Sequence, residues 1–488
     1  MRCAIEHPHH TLPILFSLKN SDKGETNSSS SGATISEPRV LAAAALVHRV
    51  AQHNARLAHI VAQMEKMCDA IISFAYCIPE SKDLKPQAVP RGEAISRLRD
   101  LNAIPVPTDP LPIRNDCDYS SLKTLSSFEK YFELVGGINY PKKITCLSSD
   151  GKKRILLIKG KDDMRQDAVM QQVFTIVNTL LERNPITNRN KLLIRTYKVV
   201  PMSRRSGVLQ WCEGTMPIGT YLVAAHTKYR PNDITPSAAR AKIKFCHDNR
   251  KPNKYKLEIF KEILKVFKTV FHNFFTEHYL DPVTWYEHRL TYTRSVATSS
   301  MVGYILGIGD RHVQNILIDK TTAEVIHIDF GIAFDQGKTL QTPETVPFRL
   351  TQDFIAGFGS SGVEGIFRKS CEKTLQLLRD NQETLLTILE VLLCDPLYLW
   401  IVSNTPTTQG LRKTTLDGDL NRAGSSESPS GAGGGLAARA LLTVSSKLCG
   451  SEGTAGGVSV EGHVARLLRT ATDPANLCQL FHGWQAYL

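Results

Sequence analysis

Apolar residues recur along this chain in distinct regimes, and the changes of spacing mark its elements. From Pro38 to Cys77 they fall largely at three- and four-residue steps (Leu41, Ala45, Val47, His48, Ala51, Leu57, Ile60, Val61, Met64, Met67), which predicts one or two packed helices. Short runs follow at Tyr131–Val135, Lys143–Leu147 and Arg154–Ile158, and these predict strands. The last two flank Ser148-Ser149-Asp150-Gly151-Lys152, an Asp-Gly turn signal. Val169, Val173, Ile176, Val177, Leu180 and Leu181 return to helical spacing. Asn190–Val200 predicts another strand, and Val208–Gly214 leads into a linker. Leu257–Leu280, Val283–Leu306, Phe348–Leu378 and Asn381–Leu399 predict long helices.

Polar stretches punctuate these elements. Asn20–Gly32 reads as a flexible loop after an apolar patch at Leu12–Leu18, residues 78–112 as Pro-rich and irregular, and Ala224–Lys256 as a basic surface insertion. Asn404–Gly435 is Ser/Gly/Thr-rich and predicted disordered; Leu436–Leu448 is a short helix candidate, and Ser451–Gly457 is another Gly-rich break. In the tail, Val460, Val464, Leu467 and Leu468 share a helical face, and Phe481, Trp484, Tyr487 and Leu488 crowd the end. Left exposed, such an end is an aggregation hazard, so the tail is expected to dock near the loop that ends at Pro347.

The chemistry concentrates between Gly309 and Gly331, which read G-D-R-H-V-Q-N-I-L-I-D-K-T-T-A-E-V-I-H-I-D-F-G. Two apolar runs, Asn315–Ile318 and Val325–Ile328, predict a hairpin through a polar turn at Asp319–Glu324. Such a hairpin sets Asn315 beside Asp329. An amide oxygen and a carboxylate there suit Mg²⁺, which takes few protein ligands and completes its shell with phosphate oxygens and water. Asp310 stands five residues before Asn315 and can orient a hydroxyl nucleophile toward a phosphoryl group. The Asp-to-Asn step followed by D-F-G is the kinase pattern, with His312 after the Asp instead of before it. Upstream, Lys159 closes a predicted strand, and Asp162, Asp163 and Asp167 precede a helix, the kinase arrangement for holding nucleotide phosphates. Trp211 and Cys212 fall where an adenine ring needs a flat apolar wall.

Composition bounds this reading without redirecting it. The 488 residues allow about two to four domains, and 42% hydrophobic residues suffice for a sizeable core. No run approaches the ~20 apolar residues of a membrane helix, and the N-terminus lacks a basic-then-apolar signal layout. Eleven scattered cysteines with no C-x-x-C pair suit a reducing compartment and argue against structural zinc. The net charge of +12 permits attraction to nucleic acid or acidic peptide, but much of it is dispersed.

The G-D-R-H-x-x-N order resembles the phosphatidylinositol 3-kinase-related kinases. K-G-K-D-D-M-R-Q-D from Lys159, Y-K-V-V-P from Tyr197, S-G-V-L-Q-W-C from Ser206, Y-T-R-S-V-A-T-S-S from Tyr292, T-P-E-T-V-P-F-R-L-T and the closing L-F-H-G-W-Q-A-Y-L carry the resemblance further. It implies an α+β, bilobal kinase fold: a partly disordered segment at 1–37, the end of a FAT-like helical region and a Pro-rich linker at 38–112, the N-lobe and hinge at 113–215, the C-lobe at 216–402, a low-complexity linker at 403–457 and a FATC-like segment at 458–488. It implies Asp310 as the catalytic Asp, His312 as a stabiliser of developing charge, Asn315 and Asp329 as Mg²⁺ (or Mn²⁺) ligands, and Lys159 on ATP phosphate. Either Asp162 or Asp167 would pair with Lys159, with Tyr197 packed beside them. Ser149 would lie in the phosphate-covering loop; Trp211, Cys212, Leu317 and Ile328 would surround the nucleotide. The Gly/Ser/Ala-rich stretch before the FATC-like segment departs from the family's more charged regulatory segment.

The expected activity is transfer of the ATP γ-phosphoryl group to Ser or Thr, preferring a following Gln, in DNA-break signalling. The resemblance further implies a nuclear (also cytoplasmic) protein, recruitment by a double-strand-break sensor complex, a homodimer, and no direct sequence-specific nucleic-acid binding from this region. A phosphoinositide lipid kinase and a catalytically inactive scaffold are the alternatives. Against the first, Asp329–Pro347 holds one Lys (Lys338), no Arg and three acids (Asp329, Asp335, Glu344). Against the second, both the catalytic and the metal Asp are retained.

Overall fold

A computed structural model describes residues 1–21, 23, 38–136, 139–393, 431–452 and 457–488. Most of the expected flexible loop at Asn20–Gly32, the predicted disorder through residue 430, and the far end of the Asn381–Leu399 helix lie outside the described residues. The chain forms two compact units, Met1–Gln171 with Tyr197–Glu213, and Gln172–Thr196 with Gly214–Leu488. Among the described residues no helix is long and apolar enough to cross a membrane.

The first unit is built on an antiparallel sheet of β1 (Gln87–Ala88), β2 (Arg99–Pro105), β3 (Thr124–Leu134), β4 (Lys142–Ser148), β5 (Lys153–Gly160), β6 (Val199–Ser203) and β7 (Ser206–Gln210). Its order is β1-β3-β4-β5-β7-β6, with β2 also on β3. Strict alternation along β4, where Lys142, Ile144, Cys146 and Ser148 point inward, sends one face to the core. That core is continuous with helices Pro8–Lys19, Pro38–Ala51 and Ala55–Tyr76: Leu12, Phe16, Ile71 and Phe74 share it with Ile158 and Val208. Phe74 meets Phe132 edge to face at 5.3 Å. The contact is close enough that a side chain at Gly160 would strike the Ala75 carbonyl.

Several expectations need correction here. The apolar patch Leu12–Leu18, left without an element by its spacing, lies on a helix that buries Leu12 and Phe16 against the sheet. The Pro-rich 78–112 stretch contains β2, because its prolines cluster at the strand's ends instead of inside the ladder. The strand predicted over Asn190–Val200 starts only at Val199; Pro185–Arg189 is a short helix, and Asn178 hydrogen-bonds both main-chain groups of Ile194, holding that segment off any sheet.

The second unit is mainly helical. β8 (Thr215–Pro217), β9 (Ile316–Asp319) and β10 (Val325–His327) form its small sheet in the order β10-β9-β8. The basic 224–256 stretch is not an irregular insertion but lies on helices Ile218–Tyr229, Pro236–Asp248 and Asn253–Val266. The long helix expected over Leu257–Leu280 breaks after Val266 and resumes at His272. Asp353 explains the break: its buried carboxylate accepts from the N–H groups of Val270 (2.7 Å) and Phe271 (3.0 Å), an alternative to helical bonding. Pro282–Ile305, capped by Asp281, is the long helix that delivers the chain to Asp310. The Leu436–Leu448 candidate is helical within Gly431–Cys449, which also takes in the last five residues of the Asn404–Gly435 stretch predicted disordered.

Candidate active site

The hairpin forms in the expected register, with Val325 opposite Ile318 and His327 opposite Ile316. Beyond the ladder, the Ile328 N–H donates to the Asn315 carbonyl at 3.0 Å, so Asn315 and Asp329 flank the same end. Both acids adopt left-handed backbone conformations, Asp310 at φ 55° and Asp329 at φ 59°. Such geometry is uncommon for non-Gly residues and persists only where surroundings impose it. Arg311 imposes much of it: its buried guanidinium donates to the Gly309 carbonyl (2.7 Å), the Ile328 carbonyl (2.9 Å) and the Asp329 carbonyl. Phe330 is fully buried, packed edge to face on Phe174 at 5.3 Å. The loop before the hairpin and the strand after it are thus clamped together.

Asn315 is almost buried and its amide nitrogen donates to the Asp310 carbonyl at 3.0 Å and toward the Asp310 carboxylate at 3.4 Å. This orientation leaves its amide oxygen on the side away from Asp310. The Asp329 carboxylate is exposed, with only a long bond from the Gly331 N–H at 3.4 Å. One amide oxygen and one accessible carboxylate are a donor set that fits Mg²⁺ with phosphate and water as its other ligands. Among the described residues no three His, Cys, Asp or Glu side chains cluster into an all-protein metal cage.

Burial raises the Asp310 carboxyl above its ordinary value, with the Asp329 charge pushing the same way and His312 and Arg311 opposing. His312 lies 3.9 Å from the Asp310 carboxylate and is lowered, first by burial and then by Arg311 and Arg349. It is therefore neutral at pH 7, with Nδ1 accepting from the Gln314 N–H at 3.1 Å. That leaves Nε2 as the proton-bearing nitrogen facing the Asp310 side. Leu317 and Ile328 are half-buried on the hairpin.

In the first unit, Lys159 on β5 donates to Asp162 at 3.2 Å. Asp162 itself is tied down by its N–H to the Arg205 carbonyl at 3.1 Å. Asp163 pairs with Arg165, and Asp167 is buried in the first turn of the Arg165–Arg183 helix. Tyr197 is buried, its N–H donating to the Gln171 amide oxygen at 2.9 Å.

Two assignments change in detail. Ser149 sits in the β4–β5 turn, but its N–H donates to the Thr124 carbonyl (2.8 Å) and its hydroxyl accepts from the Thr124 N–H (2.9 Å). The N–H groups of Gly151 and Lys152 are likewise spent on Ser148 and Asp150. None of these three N–H groups is left for a phosphate, so the turn is a stapled hairpin first. The Trp211 N–H donates to the Ile155 carbonyl at 3.1 Å, and the Lys143 ammonium lies 5.1 Å over its ring. Its contribution to a nucleotide pocket narrows to the indole face, with half-buried Cys212 beside it in sequence.

Sequence reasoning missed two residues that support Asp310. Glu344 accepts the Asp310 N–H at 2.7 Å. Side chains at Gly309 or Gly337 would collide with this carboxylate, which accounts for both glycines. Arg349, buried and lowered to about 9 by burial yet still charged at neutral pH, donates to the Arg311 carbonyl at 3.3 Å. It also donates to main-chain oxygens of Trp484, Gln485 and Leu488 at 2.7–2.8 Å, with its guanidinium 4.3 Å over the Trp484 ring. The tail thus docks as expected: Trp484, Tyr487 and Leu488 are buried, and Thr345 donates to the Asn476 carbonyl at 2.8 Å. Phe481 is the exception, 52% exposed. No local spacing announces Glu344 or Arg349; T-P-E-T-V-P-F-R-L is visible as a segment, but its contacts are not.

Comparison with known proteins agrees with this geometry. Residues 155–402 match the model of the family Phosphatidylinositol 3- and 4-kinase, and residues 457–488 match the FATC domain. The chain is 44% identical over 517 aligned positions to Serine-protein kinase ATM of Sus scrofa, covering all of this chain and 17% of that protein. It is 38% identical to Serine/threonine-protein kinase tel1 of Schizosaccharomyces pombe, covering 99% of this chain and again 17% of the relative. The chain therefore spans about a sixth of the length of these curated relatives. Among solved structures it superposes on the FAT and kinase domain of CtTel1 with TM-score 0.85 and 31% identity, over 100% of this chain and 32% of that one. A complete CtTel1 dimer with C2 symmetry matches equally, with TM-score 0.85 over 100% of this chain and 17% of that one. With the kinase hairpin, the strand lysine and the docked tail all in place, this chain belongs to the phosphatidylinositol 3- and 4-kinase family, in the FATC-bearing branch of the phosphatidylinositol 3-kinase-related kinases.

Proposed function

We propose that the chain is the catalytic portion of an ATP- and Mg²⁺-dependent protein serine/threonine kinase, phosphorylating Ser/Thr-Gln sites in the response to DNA double-strand breaks. The observation that carries the reading is the clamped hairpin, which sets Asp310, Asn315 and Asp329 at one end of one rigid element. Asn315 and Asp329 would hold Mg²⁺, which when bound neutralises charge on the transferring phosphate. Asp310, ionised and half-buried, orients the incoming hydroxyl and accepts its proton. His312, neutral, offers an N–H toward developing charge. Lys159, held by Asp162, binds ATP phosphate, with Asp167, Tyr197, Trp211, Cys212, Leu317 and Ile328 as the remaining nucleotide candidates.

A protein hydroxyl is favoured over a phosphoinositide by the segment after Asp329. Its single cation, Lys338, is paired with Asp335 at 3.2 Å, so no unpaired base in that segment greets an anionic headgroup. The names of the relatives support the protein-kinase reading, and the CtTel1 dimer supports a homodimer for the longer protein. Nuclear (also cytoplasmic) residence and recruitment by a break-sensor complex belong to the same proposal. Radiolabelled ATP with peptides differing only in Ser-Gln or Ser-Ala, alongside phosphoinositide vesicles, tests it. Label entering the Ser-Gln peptide is the expected result; label entering lipid, or neither, overturns it.

A further inference from the structure

The helices Pro236–Asp248 and Asn253–Val266, with the residues that follow to Lys268, carry ten Lys and Arg against three Asp and Glu. That is +7 of the chain's +12 on 33 residues, although the kinase site uses none of it. Among the described residues, none of these ten cations lies within ion-pairing distance of a carboxylate. Aromatic rings stand exposed between them: Phe245 is 55% exposed and Tyr255 40%. The Lys251 ammonium lies 5.9 Å from one ring centre and 5.7 Å from the other, so a single cation is bracketed by two rings. The patch continues onto the tail. His482 lies in the field of Arg240 and Lys244, and its ring packs on the exposed Phe481.

Single exposed rings are ordinary on a protein surface, but here two of them flank one cation within a run of ten. Rings interleaved with unpaired cations match a polymer that alternates π-faces with phosphates. A lipid surface would want a continuous apolar face, which the cations between these rings interrupt. An acidic peptide would satisfy the charges but leave the rings idle. We infer that the face formed by the two helices and the His482 turn is a sequence-independent binding surface for single-stranded nucleic acid.

The test is fluorescence anisotropy of the whole chain with a labelled oligothymidylate of about twenty nucleotides, longer than the ~4–16 nucleotides of a typical stacking site. Polyglutamate and anionic phospholipid vesicles serve as competitors. Binding should weaken with salt, and Phe245→Ala with Tyr255→Ala should weaken it about tenfold or more. Lys244→Gln with Lys254→Gln should lower the slope of log affinity against log salt by about 1.4, about 0.7 for each cation. All four side chains are exposed, so melting temperature and peptide phosphorylation should stay at wild-type values, which separates lost binding from lost fold. Absence of binding at physiological salt, binding indifferent to the ring substitutions, or ring-dependent preference for polyglutamate or vesicles each overturns the assignment.

Discussion

Lys159, proposed to meet ATP phosphate, and Asp310, proposed to orient the acceptor hydroxyl, are held by the chain in opposite ways. Lys159 lies on a regular strand and its acid, Asp162, is three residues away; the pair is 18% and 46% exposed. Nothing in that pairing reaches beyond a few residues of sequence. Asp310 stands in a left-handed conformation, and its neighbours are fixed from afar: Glu344 takes its N–H, Arg311 ties its loop to Asp329, and Arg349 ties Arg311 to the tail. A point charge on ATP tolerates small errors of position, whereas in-line transfer to a hydroxyl does not. On the proposed roles, the more demanding task has the longer-range support.

That contrast predicts the largest losses at the hairpin. Asp329→Ala should cut Mg²⁺-dependent turnover by about 10²–10⁴-fold, the scale of a positioned acid–base or metal-ligand group, while the thermal melt stays near wild type because the carboxylate is exposed. Asp310→Ala should lose turnover on the same scale of about 10²–10⁴-fold but keep nucleotide affinity, read by fluorescent ATP-analogue titration. Full activity in the Asp329 variant would remove the metal assignment; lost nucleotide binding in the Asp310 variant would make that residue structural.

The same contrast explains what could be read from the chain beforehand. The hairpin, the strand lysine and the docked tail were legible because each is written in neighbouring residues: alternation over Val325–Ile328, D-F-G, and an aromatic cluster after Val464. Glu344, Arg349 and Asp353 were not, since a carboxylate 34 residues from the N–H it accepts leaves no periodic trace. The Asn190–Val200 stretch misled for the same reason. Its apolar run looks like a strand, but side-chain amides take main-chain bonds along it: Asn178 both groups of Ile194, and Gln171 the Tyr197 N–H. Phe481 shares the aromatic cluster with Trp484 and Tyr487 in sequence, but only the latter two are buried, and no spacing distinguishes them.

Breaking the long-range support should come next in size. Arg349→Ala leaves several main-chain oxygens of the tail without a donor and should cost about 3 kcal/mol or more, since each buried acceptor abandoned costs about 1–3 kcal/mol. Amides of residues 477–488 should then exchange faster, and turnover should fall as Arg311 loosens. Trp484→Ala should act alike, whereas Phe481→Ala should leave both stability and turnover nearly unchanged. Equal exchange in wild type and the Arg349 variant would mean that the tail is held by other contacts.

A pH scan separates another part of the same support. His463 is buried, with Nδ1 accepting from Arg379 at 2.8 Å and Nε2 on the Tyr304 hydroxyl at 2.9 Å, and Tyr304 donating onward to Glu452. Burial, then Arg379 and Arg466, push the imidazole down to about 4. The folded chain therefore binds fewer protons at this site than the unfolded chain between about 4 and the ordinary 6.5. Stability is full above that window and falls as pH drops through it, by roughly 3 kcal/mol at most. His463→Gln should flatten this part of the melting-temperature profile; an unchanged slope would place the acid sensitivity elsewhere.

The smallest effect on the fold belongs to the locally held pair, and it is the sharpest check on the comparison. Asp162→Ala removes the acid from a half-exposed ion pair, and such pairs contribute about 0–1 kcal/mol, so the melt should barely move. The Lys159 ammonium, though, gains the side-chain entropy that this pair had withheld, and must lose it again to meet phosphate. KM for ATP should rise severalfold while kcat at saturating ATP changes little, because the hydroxyl and the hairpin are untouched. Asp162→Asn, which keeps an oxygen acceptor, should recover part of that loss. If instead kcat falls with KM unchanged, Lys159 is aligned through Asp162 for the transfer step itself, and the two regions differ less than their geometry suggests.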